Sequence, residues 1–122
     1  MRTAVTGGSA PSGSYSPAIV AEGRFVHVSG QGPLRDGEVV DGDIEAQVRL
    51  TLENIAAVLA DAGLDMGDVV RCGVFLQDLA DFEAMDRVYR EYFPEPLPAR
   101  TTVGANLLGI LVEIDCIAVV SR

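Results

Sequence analysis

The strongest periodicity in the chain runs from Asp43 to Gly63, DIEAQVRLTLENIAAVLADAG, where Ile44, Val48, Leu52, Ile55 and Leu59 recur three or four residues apart. That spacing gathers the apolar side chains on one stripe of a helix and leaves Glu45, Arg49, Glu53 and Asp61 on the other. Asp43 suits the N-cap and Gly63 the position just past the end. A second helix is expected from Asp81 to Phe93, with Phe82, Met85, Val88, Tyr89 and Tyr92 on its buried face. Pro94, Pro96 and Pro98 stop it and hold the following chain extended.

The remaining apolar runs are short and read as strands: Ala18–Ala21, Arg24–Ser29, a brief Glu38–Val40, Val69–Leu76, Thr101–Ala105 and Leu111–Val120. Asp36-Gly37 reads as a hairpin turn. Val69–Leu76 is apolar on both faces apart from Arg71, which predicts a central strand. Residues 1–17 are rich in Gly, Ser and Pro, and the first ten are expected to be loose. Strands interleaved with two helices predict an α+β fold, a mixed sheet with both helices on one face. The strands are apolar on the other face too, so that face is expected to be buried against other subunits.

At 122 residues the chain is expected to be a single domain spanning 1–122. No apolar run reaches membrane length, and the N-terminus lacks the apolar core of a signal peptide, so a cytoplasmic protein is expected. The net charge of −9 disfavours a nucleic-acid partner. All nine basic residues are arginine, which excludes lysine Schiff-base chemistry and a P-loop. Cys72 and Cys116 are expected as buried free thiols, and with one histidine they fit no zinc pattern.

Two side chains stand out against this background. Arg100 follows three spaced prolines and precedes Thr101 and Thr102, a rigid setting for bidentate capture of a carboxylate as well as for a capping arginine. Glu113 interrupts LLGILVEIDCIAVV, and alternation puts it on one strand face with Asp115. That face is either solvated or the wall of a pocket in which Glu113 serves as general acid/base. GSYSPA (13–18) and VSGQGP (28–33) place Tyr15, Ser16, Ser29 and Gln31 beside glycines that let a ligand approach the backbone. GQGP lacks the third glycine and the following helix of a dinucleotide fingerprint.

Taken in order, these segments resemble one family. GSYSPA is similar to its G-P-Y-S-x-A segment, VSGQGPL to V-S-G-Q-x-P, ENIAAVLADAG to x-N-x-x-x-x-L-x-x-A-G, and PARTTVGANLLGILVEIDCIAV to P-A-R-[ST]-x-V … x-E-[IV]-x-x-[IV]-A. The family is RidA, also called YjgF/YER057c/UK114, and the resemblance covers roughly residues 10 to 120. It implies a chorismate-mutase-like fold of the bacillary type and a homotrimer whose sheets form a central barrel, with sites in the clefts between subunits. It also implies cofactor-free hydrolysis of reactive enamines and imines, such as 2-aminoacrylate and other 2-imino acids, to 2-keto acids and ammonia. On this reading Arg100 grips the substrate carboxylate and Glu113 activates water, while Tyr15, Ser29, Gly30, Asp86 and Thr102 line the pocket. A non-catalytic carboxylate-binding trimer and a specialised pathway hydrolase are the alternatives; a ribonuclease or translation inhibitor fits the charge less well. The sequence departs from the family pattern at Ser14, Pro17, the short LLGIL segment and Asp86, where many relatives have asparagine. A carboxylate there is expected to oppose an anionic substrate unless Arg87 or another arginine pairs with it.

Overall fold

A computed structural model describes residues 2–120. Eight strands and two helices follow the order β1 (Arg2–Val5), β2 (Ala18–Ala21), β3 (Arg24–Gln31), β4 (Leu34–Arg35), β5 (Glu38–Val39), α1 (Ile44–Asp61), β6 (Val69–Leu76), α2 (Phe82–Glu91), β7 (Ala99–Gly104) and β8 (Val112–Val120). Single 3₁₀ turns, Met66–Asp68 and Leu79–Asp81, lead into β6 and α2.

The central sheet has the order β3-β8-β6-β7. β8 runs antiparallel to both β3 and β6, and β6 runs parallel to β7, so the sheet is mixed as expected. β6 is an interior strand, which explains its apolar residues on both faces. Val28, Cys72, Val74, Leu76, Val112, Ile114, Cys116 and Ala118 on one face meet Val48, Leu52, Ile55, Leu59, Met85, Val88 and Tyr89 of the helices in one continuous core. The Asp43 carboxylate accepts from Ala46 N and caps α1, and Gly63 adopts φ 79° just beyond its end. Asp36 and Gly37, at φ 53° and 80°, turn β4 into β5 in the geometry a two-residue hairpin favours.

The structure corrects one expectation. The first ten residues are not all loose: Arg2–Val5 pairs antiparallel with Ala18–Ala21. The Arg2 guanidinium donates to Pro96 O at 2.6 Å, tying this hairpin to the loop after α2. Arg2–Val5 lacks the continuous apolar run that announces Ala18–Ala21, and pairing with that strand supplies what its own pattern lacks. Met1 lies outside the described residues.

The second face of the sheet is open in the single chain. Phe25 is about half exposed at 48%, and a mainly apolar hollow of about 520 Å3 on this face is lined by Ile19, Phe25, Val70 and Ile117 together with His27 and Arg71.

Candidate active site

Register fixes which way each candidate points. Arg100 is level with Cys72 of β6, and Cys72 with Cys116 of β8, and both thiols belong to the helix-covered core. Arg100 therefore points toward α2. Its guanidinium carbon lies 4.6 Å from the Tyr89 ring centre, 5.6 Å from that of Phe82 and 5.4 Å from that of Tyr15. Aromatic faces on several sides stabilise the cation while removing it from water.

One edge of the guanidinium is occupied. Nη1 donates to Asp86 Oδ1 at 2.7 Å and, more weakly, to Ser14 O at 3.4 Å. Asp86 also accepts from Ser14 N at 3.1 Å and Ser14 Oγ at 2.9 Å. Burial opposes ionisation of Asp86, but the Arg100 guanidinium and the two Ser14 donors outweigh it and hold its carboxyl below the usual value. The other edge is vacant: Arg100 Nε and Nη2 are buried with no hydrogen-bond partner, and so is Thr102 Oγ1, two residues along the same strand face. Unpaired buried donors cost free energy, about 1–3 kcal/mol each and more when charged, so such an edge marks a place for an acceptor. The side chain is only 1% exposed. Gly13 closes over it, and a Cβ at that glycine would come within 2.9 Å of Nη2.

Glu113 occupies the opposite face. It is level with Phe75 of β6 and sits between the core residues Val112 and Ile114 on its own strand. A Cβ on Gly30 would collide with the Glu113 carboxylate, so the missing side chain at Gly30 is what lets that carboxylate lie across β3. Asp115 points the same way and accepts from Gly73 N at 3.0 Å. Ser29, Arg71 and Asp115 line a hollow of about 310 Å3 on this face with His27 and Phe75.

The predicted site residues thus fall into two groups. Tyr15, Asp86, Arg100 and Thr102 gather on the helix side of the sheet; Ser29, Gly30 and Glu113 gather on the open side. A single chain does not bring Arg100 and Glu113 together. Sequence reasoning missed the ring of Phe82 and Tyr89 around Arg100, because both read as ordinary core positions of an amphipathic helix. It noted Ser14 only as a departure, whereas Ser14 supplies two of Asp86's three donors. The signal available was the expectation that Asp86 pairs with an arginine; that arginine is Arg100, whereas Arg87 pairs with Glu45. Among the described residues no cluster of His, Cys, Asp and Glu is arranged to hold a metal. Cys72 and Cys116 are free, and burial raises both thiols to about 12.

A two-helix, mixed-sheet α+β subunit carrying a buried arginine at its edge strand and a carboxylate on its uncovered face defines a recognisable class. A family model described as Endoribonuclease L-PSP matches residues 7–120. The chain belongs to this family, the Rid proteins. Protein mmf2, mitochondrial, of Schizosaccharomyces pombe is 45% identical over 111 residues, 87% of each chain. The structure of RidA from an Antarctic Psychrobacter superposes with a TM-score of 0.75 at 36% identity, covering 91% of this chain and 92% of that one. E. coli TdcF with bound serine gives 0.74 at 36% identity, covering 95% and 93%. No helix among the described residues is long and apolar enough to cross a membrane.

Proposed function

We propose that this protein hydrolyses reactive 2-imino acids, and the enamines such as 2-aminoacrylate that tautomerise to them, to 2-keto acids and ammonia without a cofactor. The observation that carries this reading is the vacant Nε–Nη2 edge of Arg100, buried beside Thr102 Oγ1. A planar carboxylate satisfies such an edge with two parallel hydrogen bonds. The serine bound by TdcF, a family relative, is an amino acid carrying that group.

In the reaction, the substrate carboxylate binds the Nε–Nη2 edge of Arg100. Glu113 takes a proton from water as the water oxygen bonds to the iminium carbon. The carbinolamine then collapses: Glu113 returns its proton to the amine nitrogen and takes up the hydroxyl proton as the C–N bond breaks, so that ammonia leaves and the former water oxygen remains as the keto oxygen. The iminium carbon is already electrophilic, so general-base help of about 10²–10⁴-fold is sufficient. Because Arg100 and Glu113 lie on opposite faces of one sheet, the reading requires that Glu113 of one copy face Arg100 of the next, as the homotrimer implied by the family resemblance would allow. The apolar open face, with Phe25 half exposed, supports that assembly.

A second reading, a carboxylate-binding trimer without turnover, is favoured by the closure of Arg100 and its pairing with Asp86. The net charge of −9 works against an RNA substrate despite the family's description. The test generates 2-imino acids in situ with an amino-acid oxidase and traps the remainder with semicarbazide. The deaminase reading predicts faster imine loss with wild type and none above background with Arg100→Ala or Glu113→Gln. No acceleration for any side chain by the folded protein, with 2-keto acids still binding, would leave the second reading standing.

A further inference from the structure

The Arg100 guanidinium does not face its ligand as a free cation. Asp86 holds Nη1 at 2.7 Å, Ser14 fixes Asp86 through two donors, and the pair is largely enclosed, with side-chain exposures of 1% and 20%. The pair carries no net charge. A ligand carboxylate bound at the vacant Nε–Nη2 edge is attracted by Arg100 and repelled by Asp86 across the width of one guanidinium. Little water intervenes to screen that repulsion.

This matters because substrate and product of the reaction proposed above, on which this inference rests, differ in charge. A 2-iminium acid is a zwitterion whose nitrogen sits one bond beyond the carbon that bears the carboxylate. Its 2-keto acid has the same carboxylate and no cation. Only the zwitterion brings a positive charge to offset Asp86. We propose that Asp86 is the specificity-determining residue of this site, selecting net-neutral iminium acids over the monoanionic keto acids they become. The same repulsion helps expel the keto acid once ammonia has left, so the product does not block the site. Asp86 acts here through the field it imposes beside Arg100, and it takes no part in the chemical step.

The experiment titrates two probes with the same three-carbon skeleton, pyruvate and L-alanine, into wild type and Asp86→Asn by calorimetry. Removing the charge while keeping the side chain's shape is expected to tighten pyruvate about ten-fold and to change alanine by less than about two-fold. An equal change for both probes, or none for either, overturns the proposal and leaves the carboxylate site standing. No binding of either probe to either protein overturns the site and the proposal together. Where Asp86→Asn does not reproduce the wild-type circular dichroism, Asp86→Ser removes the same charge and must give the same split. A merely structural role for Asp86 predicts parallel losses for both probes instead.

Discussion

At the scale of single residues, the site depends on two glycines that make room for charge, Gly13 beside Arg100 and Gly30 beside Glu113. Gly30 has no side chain where the Glu113 carboxylate lies, so Gly30→Ala must push that carboxylate aside. The expected outcome is a fall in kcat/KM of about 10²-fold, close to that of Glu113→Gln, with an unchanged melting temperature, because the helix-side core is untouched. Equal activity for Gly30→Ala and wild type would remove Glu113 from the mechanism. A second expectation concerns the thiols. Cys72 and Cys116 ionise in the folded protein only near 12, against 9.0 when unfolded. A raised acid pKa contributes stability that is fully present below about 9 and is lost as the pH climbs toward about 12. Urea unfolding midpoints should therefore hold near neutrality and fall through that window. A variant with both cysteines replaced by alanine, though less stable overall, should decline less steeply there. Both residues of the candidate chemistry, Arg100 and Glu113, were legible as charges out of place in apolar strands. Their placement on opposite faces was not, since alternation gives parity within a strand but says nothing of the register between β7 and β8.

At the scale of elements, long and repetitive signals were read correctly, as were the short strands at 18–21 and 38–39 with the turn before the second, whereas β1 and the end of β3 were not. α1 and α2 fall within two residues of their expected bounds because each carries several turns of one apolar stripe. Asp43 is a specific cap on α1, and Asp43→Ala should cost about 1 kcal/mol. Chemical denaturation of that variant, with imine turnover measured alongside, should show lost stability and retained activity, since α1 holds the sheet without touching either half of the site. β1 was missed because Arg2–Val5 offers four residues with no alternation strong enough to separate strand from coil. Its stability comes from β2, from which it is separated by a stretch of turn-forming residues. β3 runs two residues further than its expected end, through Gly30 to Gln31, with an irregular register against β8 between Val28 and Gln31. That irregularity lies where Gly30 meets Glu113, and glycine reads in a sequence as the end of a strand rather than as a working part of one.

At the scale of the whole molecule, the sheet has one face finished and one unfinished. The apolar second face was readable as a need for a partner; which partner was readable only through resemblance to the family. The proposed trimer predicts that Phe25→Arg, a charge placed on the open face, yields a monomer by sedimentation velocity and abolishes turnover in the same step. A monomeric variant with full activity would contradict the division of the site between copies. That division has a consequence for mixed populations. Arg100→Ala and Glu113→Gln are each expected to be inert alone, yet each retains the half that the other lacks. Co-refolded in equal amounts into random trimers with head-to-tail contacts, they should regain about one intact site in four. Two defective alleles expressed together would then complement each other, whereas a double variant carrying both changes on one chain would rescue neither.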